Sequence, residues 1–195
     1  MRINVLGWYR DNIGDESYKL AFPRMFPDAS FVFSDSPIPE EFDLTILGGG
    51  DILSESFVKR LLSANSKKKV AISVSANTNS PFDLLKQIDA IYVRDNLSVK
   101  LLKEHNIPCS FMPDIAFLLK ASPENGQKWL KDFYHDEQGE LYEKKIGFVL
   151  NAHLFQGKPD ILARDFLNFT KVSWDMARLM DETSASFILF PMSTR

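Results

Sequence analysis

Short apolar runs recur along the chain, and stretches with apolar residues at helical spacing separate them. Residues 3–6, 30–33, 43–47, 70–74 and 89–93 each read as a strand, rich in aliphatic, β-branched or aromatic residues. Leu44, Thr45, Ile46 and Leu47 show no strict alternation, which predicts a strand covered on both faces, as in a parallel sheet. Gly48, Gly49 and Gly50 follow at once and read as a tight turn that lets the backbone approach a ligand. Ligands of open α/β sheets bind at the carboxyl ends of the strands, so this turn is the expected floor of a site.

Helical patterns fill the gaps. Residues 15–26 read as a helix with Asp15 and Glu16 in its first turn, where the helix dipole favours acids, and with Pro23 shortening or kinking it. Residues 55–64 carry Phe57, Leu61 and Leu62 as an apolar stripe. Pro81 opens a short helix over 81–87, and a further helix spans 97–104. Lys67, Lys68 and Lys69 read as a solvated helix end. Residues 110–112 are extended, and Asp114 caps a short helix after Pro113. Strand alternating with helix predicts an α/β fold: a Rossmann-like parallel sheet with helices on both faces.

From residue 121 to 145 the composition turns polar, with a helix expected around Trp129, Leu130 and Phe133. Residues 146–150 and 186–190 read as strands, and 160–182 as one long helix between them. The expected division is a Rossmann-like domain at 1–140 and a partial second α/β domain at 141–195, the opening strand–helix–strand of that domain. Such a unit buries little by itself and is expected to dock on the first domain, a partner chain or further sequence.

A net charge of −3 argues against a dedicated nucleic-acid binder. The single cysteine, Cys109, permits no intramolecular disulfide and reads as a small buried hydrophobe in a reducing compartment. The N-terminal apolar run is too short for a signal peptide, and no segment has the apolar length of a membrane span. The expected location is the cytoplasm, with a peripheral position at the membrane left open. No His or Cys pair has metal-ligand spacing. No G-x-G-x-x-G follows the first strand and no phosphate-binding G-x-x-x-x-G-K-[ST] occurs, which disfavours dinucleotide oxidoreductases and P-loop NTPases.

Several motifs stand in order at strand ends. Gly7-Trp8-Tyr9-Arg10-Asp11-Asn12-Ile13-Gly14-Asp15-Glu16 follows the first strand. Leu47-Gly48-Gly49-Gly50-Asp51 follows a middle one. Arg94-Asp95-Asn96-Leu97-Ser98 and Pro113-Asp114-Ile115-Ala116-Phe117 come later. The ordered set resembles the polysaccharide pyruvyl transferase family over about residues 1–120, and more loosely beyond. The resemblance implies transfer of the enolpyruvyl unit of phosphoenolpyruvate to two hydroxyls of a sugar. The product is a cyclic pyruvate ketal in cell-surface polysaccharide biosynthesis. It implies two Rossmann-like domains with the site between them, phosphoenolpyruvate as donor substrate with no cofactor, and a saccharide acceptor, nucleotide- or lipid-linked. Arg10 stands where many relatives have glycine. Relatives usually run further, and their second domain supplies basic and histidine residues, so the expectation is a fragment or a truncated relative.

Ketal formation needs an acid for the methylene carbon, a base for the sugar hydroxyls, and donors for carboxylate and phosphate. Asp15, Glu16 and Asp51 are the catalytic candidates. Asn12, Gly14, Gly48, Gly49, Gly50, Asn77 and Arg94 are the binding candidates, the glycines through N–H groups and Arg94 through its charge. The structural alternatives are plain: Asp15 and Glu16 start a helix, Asn12 holds its own turn, and Arg94 pairs with Asp95, Asp114 or a helix end. His105 and His135 are unpromising, and His153 reads as structural. Two other functions stay open: a non-catalytic saccharide-binding module and a nucleotide-sugar glycosyltransferase of similar fold. A homo-oligomer is a further possibility.

Overall fold

A computed structural model describes residues 1–9, 13–120, 122–125, 128, 178 and the backbone of 144–150 and 185–191. The chain divides into two compact units, Met1–Lys120 and Ala121–Arg195.

The first unit is a Rossmann-like α/β sheet of six parallel strands in the order β2-β1-β3-β4-β5-β6. In chain order these are β1 (Arg2–Leu6), α1 (Ile13–Met25), β2 (Ser30–Ser34), β3 (Phe42–Gly50) and α2 (Glu55–Ser63). Then come β4 (Ser66–Val74), α3 (Phe82–Leu85), β5 (Ala90–Val93), α4 (Asn96–Glu104), β6 (Ser110–Phe111) and a 3-10 turn at Ile115–Leu118. The chain winds from β1 outward to β2, then crosses back to β3 and continues the other way. The topological switch point, where such sheets open a crevice, therefore lies between the carboxyl ends of β1 and β3.

Each sheet face has its own core, which is why the strands lack polar alternation. Leu6, Leu47, Ala71, Ile91 and Val93 pack on one face with Val58 and Leu61 of α2, Leu85 of α3 and Leu102 of α4. Cys109 is half-buried against this core. Ile3, Val5, Ile46 and Ile72 pack on the other face with Tyr18, Ala21 and Phe22 of α1 and Ile115 of the 3-10 turn.

Three local expectations are corrected. Gly48, Gly49 and Gly50 are not a turn but the last three residues of β3, with Gly48 opposite Ile72 and Gly50 opposite Val74. Their small size serves α1: a Cβ at Gly48 would lie 2.7 Å from the Phe22 ring, and one at Gly49 would lie 1.9 Å from the Tyr18 ring. Gly49 and Gly50 also hold φ of +90° and +78°, a backbone that glycine adopts freely. Lys67, Lys68 and Lys69 lie in β4, not at a helix end. Lys67 pairs with Asp43 at 2.8 Å and Lys68 with Asp89 at 3.0 Å, partners that stand at the amino ends of β3 and β5 on either side of β4. The α3 helix is shorter than expected, at Phe82–Leu85, with Pro81 as its N-cap.

β4 breaks register between Ile72 and Val74, and the residue at the break, Ser73, is fully buried with φ +60°. A non-glycine residue held in the left-handed region costs on the order of 1 kcal/mol and marks a backbone bent to aim side chains.

In the second unit, β7 (Lys144–Leu150) and β8 (Ala185–Pro191) pair in parallel, a little longer than expected at each site. The helices expected at 160–182 and around Trp129 lie outside the described residues. Among the described residues no helix is long and apolar enough to cross a membrane.

Candidate functional site

The carboxyl ends of β3, β4 and β5 each accept a hydrogen bond from the first residue beyond the next strand in the sheet, β4, β5 and β6 in turn. Ser75 donates its N–H to Gly50 O at 3.0 Å, and Arg94 donates its N–H to Val74 O at 3.0 Å. Met112, one residue past β6, donates to Val93 O at 2.9 Å. These bonds fix where the side chains of Ser75 and Arg94 begin.

The Arg94 guanidinium then spreads over three partners. Nε donates to Ser75 Oγ at 3.0 Å, Nη1 to Asp114 Oδ2 at 3.0 Å, and Nη2 to Asp51 Oδ1 at 3.2 Å. Asp114 is the anchor. Its carboxylate also accepts the Tyr18 hydroxyl at 3.0 Å and the Ala116 N–H at 3.0 Å. The bent Ser73 supports it from below by accepting the Ile115 N–H at 3.2 Å. So β3, β4, β5, α1 and the 3-10 turn all meet on one Arg–Asp pair.

Electrostatics follow this geometry. Burial pushes the Asp114 pKa up, but the hydrogen bonds from Ala116, Arg94, Ser73 and Tyr18 outweigh it and hold the group below its ordinary range. Burial likewise works against the Arg94 charge, and Asp114, Tyr18 and Asp51 more than restore it. Burial pushes the Tyr18 hydroxyl up to about 12, so at neutral pH it is a hydrogen-bond donor to Asp114. Asp51 is different: its side chain is 74% exposed, against 21% for Asp114, and can leave Arg94 without losing buried contacts.

Around the switch point, Gly7 is packed so closely that a Cβ there would lie 2.8 Å from the Tyr9 ring. Tyr9 stacks edge-on with Phe33 at 5.7 Å, and Lys19 lies 5.0 Å from its ring centre. Its hydroxyl is buried with no hydrogen-bond partner among the described residues. Burial first, then Asp15 and Glu16 nearby, push its pKa far up. Asp15, in the first turn of α1, is buried. Its Oδ1 lies 3.7 Å from where a Gly50 Cβ would stand, so Asp15 overhangs the end of β3.

The structure therefore brings together Asp15, Gly50, Asp51 and Arg94 at neighbouring strand ends. Gly48 and Gly49 lie beneath α1, filled by Phe22 and Tyr18. Gly14 sits in the first turn of α1, where its carbonyl accepts the Ser17 hydroxyl at 2.6 Å. Glu16 pairs with Lys19 at 2.7 Å on the helix surface. Asn77 uses its side-chain oxygen to hold its own turn, accepting the Asn79 N–H at 2.9 Å. Asn12, Arg10, His135 and His153 lie outside the described residues. His105 closes α4 and stacks on Phe82 at 3.6 Å. Sequence reasoning gave Asp114 a capping role and offered it as a partner for Arg94, and both hold in the structure, but it did not single out Tyr18, Ser73 or Ser75. The signal for Asp114 was its repeated acid-after-strand position; the other three carry none. Asp95, offered as a partner for Arg94, caps α4 by accepting the Ser98 N–H at 2.7 Å.

Two cavities, of about 270 and 300 Å³, lie away from these strand ends, one beside Lys86, Asp89 and Ile107 and the other beside Met1, Met25 and Phe26. Among the described residues no cluster of His, Cys, Asp or Glu is arranged to hold a metal ion.

A family model of polysaccharide pyruvyl transferases matches residues 6–179. The chain belongs to the polysaccharide pyruvyl transferase family. The match opens at Leu6, the last residue of β1, and so takes in every strand end of the Arg94 cluster. No curated protein and no solved structure matches. Membership in a pyruvyl transferase family makes the chain a transferase by kind, and a polysaccharide pyruvyl transferase implies a saccharide acceptor.

Proposed function

We propose that the protein transfers the enolpyruvyl unit of phosphoenolpyruvate to two hydroxyls of a saccharide, leaving a cyclic pyruvate ketal and inorganic phosphate. The observation that carries the reading is the Arg94 guanidinium. It is half-buried, fixed from behind by Asp114 and Ser75, and among the described residues its remaining ion-pair partner is the exposed Asp51. Of the five N–H donors of an arginine, these contacts use three, which leaves two for a ligand. A planar fork held in place suits a carboxylate or phosphate, and both occur in the donor.

The chemistry balances as follows. A proton adds to the methylene carbon, positive charge grows at the neighbouring carbon, and one sugar hydroxyl attacks there while losing its proton. The phosphate then leaves with the C–O electron pair, and the second hydroxyl closes the ring. Of the two hydroxyl protons, one is matched by the new methyl C–H and the other leaves on phosphate. Asp15 and Asp51 are the carboxylates beside this space, suited to take protons from hydroxyls. Gly14 and Gly50 are the backbone positions nearest them. No cofactor enters these steps. The reading places the reaction in the cytoplasm, where the donor is made, on an acceptor linked to nucleotide or lipid.

The test is phosphate release from phosphoenolpyruvate by the full chain in the presence of gluco-, galacto- and manno-configured saccharides, with mass spectrometry of the sugar. Saccharide-dependent phosphate release with a pyruvate-bearing sugar is the expected result. Cleavage of a nucleotide sugar in its place would overturn the reading.

A further inference from the structure

We infer that the Tyr18 hydroxyl is a positioning group of the site: by fixing the plane of the Asp114 carboxylate, it sets the direction in which the Arg94 fork faces a ligand. The ligand's identity as phosphoenolpyruvate rests on the transferase reading; the geometry does not.

Tyr18 and Phe22 stand one turn apart on α1, and both rings lie over the glycines that end β3. Phe22 covers Gly48 and fills its space with no hydroxyl. Tyr18 covers Gly49, nearer the strand end, and there the ring carries one. A Cβ at Gly49 would lie 1.9 Å from this ring, so glycine at that position is the condition for the hydroxyl to reach the carboxylate. The side chain is 3% exposed, and its hydroxyl donates to Asp114, lying 3.0 Å from Oδ2 and 3.2 Å from Oδ1.

A carboxylate held at one oxygen alone can swing about its Cβ–Cγ bond, a broad torsion for aspartate. The Ala116 N–H holds Oδ1 at 3.0 Å. Tyr18 adds a donor that reaches Oδ2, the same oxygen that takes Arg94 Nη1 at 3.0 Å. With both oxygens held, the carboxylate plane is fixed, and the planar guanidinium turns to suit it. Ser75 grips Arg94 at Nε, 3.0 Å away, so the movement left to the fork is a turn of its two Nη groups about that point. Asp114 on Nη1 stops the turn. Asp51 on Nη2 is a weak restraint, because its side chain is 74% exposed. Loss of the Tyr18 hydroxyl keeps the ring packed over Gly49 and frees the turn. A fork that turns misses part of its bonding to an anion.

The experiment is nitrogen–proton NMR of the arginine side chains of the full chain, beside phosphorus NMR of phosphoenolpyruvate binding. The Arg94 signals are identified as those lost in Arg94→Lys. Separate Nη1 and Nη2 signals are expected in wild type, where rotation about Nε–Cζ is hindered. In Tyr18→Phe they should merge, and donor affinity should fall about fivefold, the scale of one hydrogen bond. Ile3→Val, a mild core change in β1 on the same sheet face, should leave both readouts as in wild type. Merged signals in wild type, separate signals in Tyr18→Phe, or donor affinity in that variant equal to wild type would overturn the inference. Equal changes in Ile3→Val would overturn it too, since Tyr18 would then act through stability alone. Should wild type bind no phosphoenolpyruvate, the transferase reading falls, and the Arg94 signals of Tyr18→Phe alone decide the positioning role.

Discussion

Arg94 Nη1 donates to Asp114 Oδ2 across 3.0 Å, and this one bond ties the end of β5 to the segment that follows β6. Both side chains are less than one-third exposed, so removing one partner strands the other's charge. Asp114→Ala should destabilise the fold by about 2 kcal/mol, the scale of hydrogen bonds to a charged group. Arg94→Ala should cost a similar amount. Urea unfolding followed by circular dichroism checks both, with Asp51→Ala as a neutral comparison because its side chain is largely in water.

Acid should act through the same carboxyl. Asp114 has a lowered pKa in the folded state, so the unfolded chain binds more protons once the pH approaches the ordinary aspartate value of about 3.9. Its contribution is therefore complete above that value and is lost as the pH falls through the folded pKa. Thermal unfolding from pH 6 downward should show the midpoint falling below about pH 4, and Asp114→Asn should flatten that fall. A fall of equal steepness in the variant would assign it to other carboxylates. Asp43 and Asp89 are also lowered, but they are exposed, and their share should shrink in salt.

Gly49 and Gly50 should respond unequally. Both need positive φ, but only Gly49 lies beneath the Tyr18 ring. Gly49→Ala should cost about 3 kcal/mol or more, from strain and a clash that α1 cannot yield to. Gly50→Ala should cost about 1 kcal/mol, from backbone strain alone. Denaturant midpoints of the two variants make the comparison, and equal losses would contradict it.

The alternation of strands and helices was legible because both sheet faces are buried, so each strand appears as an apolar run and each helix as a stripe. The triple glycine was legible as special, but its reason was not. What it accommodates is the rings of Tyr18 and Phe22, which become neighbours only when α1 folds onto β3. The lysine run misled for the same reason, since Asp43 and Asp89 stand beside it only in the sheet. At the site, Arg94, Asp51 and Asp15 could be picked out from their places after strands. Tyr18 could not, because a tyrosine on an apolar helix face looks like core until its hydroxyl is seen on Asp114.

Alkali should report on that tyrosine. Its pKa is pushed up to about 12, so the stability from the neutral hydroxyl is present below its unfolded value of about 10 and is lost between about 10 and 12. Tyr18→Phe should lower stability at pH 7 by about 1 kcal/mol and soften the alkaline loss over that window. Unfolding midpoints from pH 7 to 11 test this; an alkaline loss equal to that of wild type would place it on another tyrosine.

The most direct test of the site is phosphorus NMR of phosphoenolpyruvate titrated into wild type, Arg94→Lys and Asp51→Asn. Arg94→Lys keeps the charge and loses the planar fork, so donor binding should fall about tenfold while the fold survives. Asp51→Asn removes the carboxylate that competes for the guanidinium, so donor binding should hold or strengthen while turnover falls. Donor affinity unchanged by Arg94→Lys would contradict the placement of the donor on Arg94.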